Sequence, residues 1–355
     1  MDKDIRREPT EPGRGTGGRL TIPARAPRRL CDAIECAHEL LAIAAREPYS
    51  PLADYELQSH VTGALREFAQ ACGEVDETDV EAQHDLATAL RRYHDLEMRF
   101  LNRSALYRHL ADKPFGHAGD FLTTEAIYAN RCGRGIAGYV DRWLQALDAA
   151  GAVRDRKQRF VRQVQKAVAE APLTPLRVLD VGSGSCVPVL AALEAGCDDA
   201  RFTCLDADAH ALARAQHLLE AAGWDERVTL VQRGIGRLAR GGAADELGSF
   251  DLVWCGCPFD VVGSGGRPLV SVPAALGSLL DLLHDGGRLV FCSPTPALKE
   301  REFLSVCLGW PLACRDEDDF AALAAPSRNG GTRVEISVEM QGPLGYATLR
   351  RRPRS

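Results

Sequence analysis

No stretch of this 355-residue sequence approaches the roughly 20 consecutive apolar residues that cross a bilayer, so no membrane-spanning helix is expected. A body rich in clustered Lys and Arg is also missing. The formal net charge is −6, and a mildly acidic chain is a poor general nucleic-acid binder. The twelve cysteines include no CxxC pair with a matching partner and no CxxC…HxxxH spacing, so structural zinc is not expected. With no apolar secretion-signal core near the start, reduced thiols in a cytoplasm are the default. No internal repeat is visible. What is present is 45% hydrophobic and 26% charged residues, an ordinary globular composition. It excludes a wholly disordered chain, a collagen-like chain and a small disulfide scaffold, and the length allows about two to three domains.

The charge is uneven. Residues 1–30 carry Lys3 and seven arginines against four acids, a local +4, and the last six residues carry four more arginines. The body between them therefore holds −14. The stretch Glu8 to Gly18 is rich in Pro and Gly and nearly free of large apolar groups, so residues 1–28 are expected to be a disordered arm.

Residues 29–170 read as a helical domain. Leu30, Ile34, Ala37, Leu41 and Ala44 recur at helical spacing, and Leu52 to Phe68 and Asp79 to Phe100 repeat the pattern. Lys113-Pro114-Phe115-Gly116 breaks it, and further helix is expected through Tyr128 and from Tyr139 to Val168. At Pro172 the texture changes. Short apolar runs at 177–181, 201–206, 228–231, 250–255 and 288–292 alternate with helical stretches at 187–195, 209–222 and 272–283. That alternation means a parallel sheet covered on both faces, and residues 333–339 and 344–350 form a hairpin-like antiparallel edge. The fold class is α/β: a Rossmann-like, seven-stranded sheet over residues 171–355, preceded by the helical domain.

The strongest motif is Val178-Leu179-Asp180-Val181-Gly182-Ser183-Gly184-Ser185, at the turn from the first strand to the first helix of the sheet. Glycines there let the backbone approach a ligand and expose amides at a helix start. Asp206 ends the second strand, where a carboxylate can accept from both hydroxyls of a ribose. A dinucleotide site wants a third glycine, but Val187 stands in its place. Asp180 would repel a pyrophosphate and suits the ammonium and sulfonium end of S-adenosylmethionine. Ala207, Gly234 and Ile235 follow strand ends, Cys255 closes the fourth run, and all four join Asp180, Gly182, Gly184 and Asp206 as cofactor-binding candidates.

With these residues the chain resembles class I S-adenosylmethionine-dependent methyltransferases over residues 110–350. More narrowly it resembles a bacterial family that includes the synthases of 3-hydroxy fatty acid methyl esters. The resemblance rests on Gly116-His117-Ala118-Gly119-Asp120-Phe121, Ile127-Tyr128, Ala152-Val153-Arg154-Asp155-Arg156, Cys257-Pro258-Phe259-Asp260-Val261, Gly309-Trp310 and Arg315 to Phe320. It departs from that family at His117, where the family has Tyr, at Cys292-Ser293-Pro294, where Asn-Phe is expected, and at Gln232 to Ile235, which lack the acid many methyltransferases place near adenine. The resemblance implies that the Gly116–Phe121 segment folds over the cofactor, with Phe121, Tyr128 and Arg154 nearby, and that S-adenosylhomocysteine is the product.

His117, Asp120 and Asp260 are the catalytic candidates, for acid/base or orienting work. The plainer alternatives are a structural histidine at 117, a helix cap at Asp120 and a turn cap at Asp260. Arg154 and Arg156 suit a carboxylate of cofactor or substrate, or equally an exposed salt-bridged helix face. The expected activity is methylation of a carboxylate or hydroxyl on a small, free or carrier-bound acceptor of fatty-acid or natural-product type, in the cytoplasm. No metal, nucleic-acid or membrane partner is expected, and a homodimer is compatible with the sequence. Carboxyl methylation needs little acid/base help, because alignment and desolvation suffice. A second reading keeps fold and cofactor but assigns a non-methylating elimination or cyclisation. A third is a binding protein whose basic arm contacts an acidic partner.

Overall fold

Strand residues of period two fill both faces of one sheet, and the helices between strands cover those faces. The computed structural model describes residues 26–46, 51–74, 80–170, 175–238, 240, 244–256, 260, 271–324 and 334–352. Seven α-helices precede the sheet among the described residues: α1 (Ala26–Arg46), α2 (Pro51–Ala71), α3 (Val80–Arg99), α4 (Ala105–Asp112), α5 (Phe121–Ala129), α6 (Gly135–Gln145) and α7 (Asp148–Glu170). The sheet follows as β1 (Arg177–Val181), β2 (Arg201–Asp206), β3 (Val228–Gln232), β4 (Phe250–Gly256), β5 (Leu283–Pro294), β6 (Val334–Gln341) and β7 (Leu344–Arg351). Between strands lie α8 (Val187–Glu194), α9 (Ala209–Ala222), α10 (Ile235–Leu238), α11 (Ala244–Leu247), α12 (Val272–Asp281), α13 (Arg301–Val306) and α14 (Glu317–Ala324).

The strand order is β3-β2-β1-β4-β5-β7-β6. The first five strands are parallel, β7 runs antiparallel to β5, and β6 pairs antiparallel with β7. The order reverses between β1 and β4, the place where open α/β sheets leave a crevice at their carboxyl ends. Val181 pairs with both Leu205 and Cys255, so the ends of β1, β2 and β4 are level there.

On one face Val178, Phe202, Leu252, Trp254 and Val290 pack with Phe160 and Val164 of α7 and Val189 of α8. On the other, Leu179, Val253, Leu289 and Phe291 pack with Leu276 and Leu279 of α12 and Phe320 of α14. A third core joins the helical region: Ile34 and Leu41 of α1, Phe68 of α2, Leu96 of α3 and Trp143 of α6. Leu298, Phe303, Leu304 and Leu308, from the far half of the chain, complete that core. Each such buried side chain contributes about 1.5–3 kcal/mol, so α13 and its flanks tie the two regions together.

The expected strands and hairpin are present, with differences at the ends. β5 starts at Leu283 rather than 288, through an irregularity in its pairing with β4 between Phe250 and Leu252. The helix expected from Tyr139 to Val168 is two helices, α6 and α7. The chain turns at Ala146 and Leu147, whose amides donate back to Arg142 and Leu144, and the Glu300 carboxylate accepts from Asp148 N at 3.1 Å. That acceptor comes from 152 residues away, which helical periodicity does not register. The arm expected over residues 1–28 lies outside the described residues up to residue 25, and α1 starts at Ala26. Residues 257–259 and 261 of the post-β4 motif also lie outside them. Among the described residues no helix is long and apolar enough to cross a membrane.

Candidate active site

The β1–α8 turn is shaped by residues with positive φ: Gly182 at 74°, Gly184 at 55° and Cys186 at 59°. Glycine takes this backbone without a Cβ penalty. Gly182 N and Ser183 N both donate to Leu205 O, at 2.8 and 3.1 Å, which fixes the loop to the end of β2. Gly184 N donates to Asp206 Oδ2 at 2.8 Å, and Asp208 N donates to Oδ1 at 2.9 Å. Each carboxylate oxygen keeps a further lone pair, so Asp206 can still accept from ribose hydroxyls. Arg233 N reaches Asp206 O at 2.7 Å, and a Cβ added at Gly234 would lie 3.4 Å from Ala207 Cβ. The ends of β1, β2 and β3 thus bring Gly182, Gly184, Asp206, Ala207, Gly234 and Ile235 to one edge of the sheet. Cys255 is fully buried beside Val181.

Asp180 is buried in β1, and burial together with the Asp206 carboxylate pushes its own carboxyl up to about 7, against the opposing pull of Arg156. A buried acid held near neutrality is poised to ionise when a cation arrives. Arg156 comes from α7, and its Cδ lies 3.6 Å from where a Cβ on Gly256 would sit, at the end of β4. Its neighbour in the sequence motif, Arg154, turns elsewhere: its guanidinium donates to Gln145 Oε1 at 2.9 Å and Gln145 O at 2.7 Å. Gln145 in turn donates to Ala126 O at 3.0 Å, so Arg154 locks α5, α6 and α7 together. Tyr128 lies under Lys157, whose ammonium is 5.0 Å from the ring centroid.

The segment between α4 and α5 covers the glycine loop. A Cβ added at Gly184 would lie 3.7 Å from Phe121 Cβ, so Phe121 roofs the loop. Phe115 packs on Phe121 at 4.9 Å and on His210, at the start of α9, at 5.5 Å between ring centroids. Arg214 of α9 clamps Glu125 of α5 at 3.0 and 3.1 Å. Gly119 lets Trp310 approach: a Cβ there would stand 2.6 Å from the indole Cζ2. Two motifs 190 residues apart in the sequence therefore meet in this cover.

Asp120 caps α5, accepting from Thr123 N at 2.9 Å, as one of its expected readings had it. It also accepts from His109 Nε2 at 2.7 and 2.9 Å, with its side chain 1% exposed. His117 is exposed on the turn. Asp260 is buried, and its Oδ1 accepts from Ser293 Oγ at 2.8 Å and from Arg315 Nη1 at 3.2 Å. Ser293, Asp260 and Arg315 form one buried polar triad that joins the post-β4 loop, the end of β5 and the approach to α14.

Sequence reasoning did not single out His109 or Ser183. Ser183 Oγ is buried with no hydrogen-bond partner among the described residues, inside the glycine loop itself. A serine between two positive-φ glycines was a readable signal for it, whereas nothing in the spacing of His109 pointed to Asp120. An unpartnered hydroxyl, a backbone cradle closed to side chains, an acceptor carboxylate at Asp206 and an acid at Asp180 fit a nucleoside carrying a cationic amino-acid end. Among the described residues no group of three or more His, Cys, Asp or Glu is arranged to hold a metal ion.

Residues 174–319 match the family described as methyltransferase domain. No curated protein matches the chain. A crystal structure of a possible exported protein from Bordetella parapertussis is 16% identical, with a TM-score of 0.51, over 93% of this chain and 97% of that one, so the whole architecture recurs there. Magnesium protoporphyrin IX methyltransferase from Synechocystis PCC 6803 is 18% identical over 69% of this chain and 96% of that one, with a TM-score of 0.45.

Proposed function

We propose that this chain, whose residues 174–319 match the methyltransferase domain family, is an S-adenosylmethionine-dependent methyltransferase and methylates an oxygen of a small acceptor. The acceptor is a carboxylate or hydroxyl on a fatty-acid-like or natural-product intermediate, free or carrier-bound, and the setting is the cytoplasm. S-adenosylmethionine supplies an electrophilic methyl group on a cationic sulfur. The chain's residues do the rest. Asp206 holds the ribose, and the Gly182–Gly184 backbone and Ser183 Oγ border the amino-acid end. Asp180 and Asp206 balance its positive charge, while Arg156 is the cation at hand for a carboxylate. Phe115, Phe121 and Trp310 form an apolar cover that excludes water, which strengthens every electrostatic contact beneath it. The observation that carries this reading is the pairing of the glycine loop with Asp206 beneath the Phe121 roof.

The fatty-acid end of the range is supported by the sequence resemblance to 3-hydroxy fatty acid methyl ester synthases. The non-methylating alternative drew on the Cys292-Ser293-Pro294 departure, but Ser293 is spent on Asp260 and Arg315, which removes one motive for it. Incubation with methyl-labelled cofactor and a panel of carboxylic and hydroxy acceptors separates the two readings. Label in the acceptor with one S-adenosylhomocysteine formed per turnover supports methyl transfer. Turnover that proceeds equally well with S-adenosylhomocysteine contradicts it.

A further inference from the structure

We propose that the Glu125–Arg214 ion pair is a latch on the cofactor site. It spans the gap between α5 and α9 through which the cofactor enters and leaves, and it sets the rate of exchange while leaving the affinity unchanged. The inference rests on the cofactor site described above and adds to it the control of access.

Two helix faces meet across this gap. On α5, Phe121 and Glu125 stand four residues apart and share one face. Phe121 roofs Gly184, with 3.7 Å from its Cβ to the position of a Cβ added there. On α9, His210 and Arg214 share a face in the same way. His210 meets Phe115 at 5.5 Å between ring centroids, and Arg214 donates to Glu125 through Nε at 3.1 Å and Nη2 at 3.0 Å. α9 follows directly on the Asp206 turn, and its cap Asp208 accepts from His210 N at 2.8 Å. Gly184 N and the Asp206 carboxylate are themselves joined at 2.8 Å. The two faces therefore close over the edge where the glycine loop meets the ribose acceptor.

The helical side of α5 is anchored differently. Ala126 O accepts from Gln145 at 3.0 Å, Asp120 caps the helix and accepts from His109, and Trp310 packs on Gly119. Toward α9 the backbones make few close approaches, and side chains bridge the distance. Glu125 is 18% exposed and Arg214 39%, so salt can reach the pair. Two parallel N–H···O contacts make it firmer than a single-point surface bridge. A cover fixed on one side and held by a breakable ion pair on the other parts from α9. Glu125 and Arg214 bond to each other rather than to the glycine loop, so the latch closes alike over an empty and a filled site. An interaction equal in both states shifts no equilibrium. It raises the barriers to entry and to exit together.

S-adenosylhomocysteine is the probe, because its amino-acid end is a zwitterion without net charge. Added salt then acts on the latch rather than on attraction between ligand and site. Surface plasmon resonance on the immobilised full chain gives both rate constants for wild type, Glu125→Gln, Arg214→Gln and the charge-reversed Glu125→Arg/Arg214→Glu. Each single variant is expected to speed association and dissociation together by about three- to tenfold, with Kd within about twofold of wild type. Charge reversal returns both rates toward wild type. Raising ionic strength from about 0.01 to about 1 M, which shortens the screening length from about 30 to about 3 Å, speeds both rates in wild type and neither in Glu125→Gln. Unmoved rates in both single variants, faster dissociation alone with weaker Kd, or equal salt dependence in wild type and Glu125→Gln overturns the inference. Loss of binding in the single variants also overturns it, since the pair then belongs to the binding site itself. A wild type that binds no S-adenosylhomocysteine overturns the cofactor-site reading, an outcome distinct from binding with unmoved rates.

Discussion

Asp180 carries the most charge-sensitive position in the site. Its carboxyl, ordinarily near 3.8, is raised to about 7 by burial and by Asp206. A cationic ligand favours the ionised form, so binding should release a proton. Affinity for S-adenosylmethionine is then expected to rise about tenfold per pH unit below 7 and to flatten above it. Titration calorimetry at pH 6 and pH 8 checks this, with Asp180→Asn losing the pH dependence. Stability of the free protein moves the other way. Between about 4 and 7 the native state holds a proton that the unfolded chain has released, so stability falls as pH rises through that window. Thermal unfolding of wild type against Asp180→Asn should show that slope only in wild type. Asp260 answers to a different force. Removing its buried partner with Arg315→Met is expected to cost about 3–5 kcal/mol in denaturant unfolding, because it strands a buried carboxylate. The turn that joins Gly182 and Gly184 to Asp206 was legible because it is local, two strands and one loop. Arg156, Ser293 and His109 were not placed, because each owes its role to a partner at least 11 residues away in sequence.

At the scale of elements, the cover over the glycine loop depends on the missing side chain of Gly119. A Cβ there would stand 2.6 Å from the Trp310 indole, so Gly119→Ala is expected to destabilise by about 1–3 kcal/mol. In a Trp310→Ala background that increment should vanish. A double-mutant cycle by chemical denaturation measures the coupling, and equal costs in both backgrounds would contradict the contact. The strands were legible to within a few residues, since apolar runs bounded by Gly and Pro leave few alternatives. The α6–α7 turn was not. Apolar spacing continues through Ala146 and Leu147, and the Glu300 carboxylate that accepts from Asp148 N comes from beyond β5. The pairing of the Gly119 and Gly309-Trp310 motifs was likewise visible as two fragments but not as one contact.

For the whole molecule, the helical region and the sheet are not independent. Leu298, Phe303, Leu304 and Leu308 lie after β5 yet complete the helical core. A chain truncated to residues 171–355 should therefore expose them and lose its single cooperative transition, measured by near-UV circular dichroism and heating. A truncated domain that melts as sharply as the full chain would contradict this. The α/β class and the order of the two regions were readable from the sequence, but the return of α13 into the first region was not, because no pattern in α13 names its partner. The central claim is that the glycine loop and Asp206 hold S-adenosylmethionine beneath the Phe121 cover. Calorimetric titration of S-adenosylmethionine into wild type and Asp206→Ala tests it most directly. One site per chain in wild type and at least tenfold weaker binding in the variant is the predicted result. Equal affinity in the two proteins, or no binding in wild type, would contradict it.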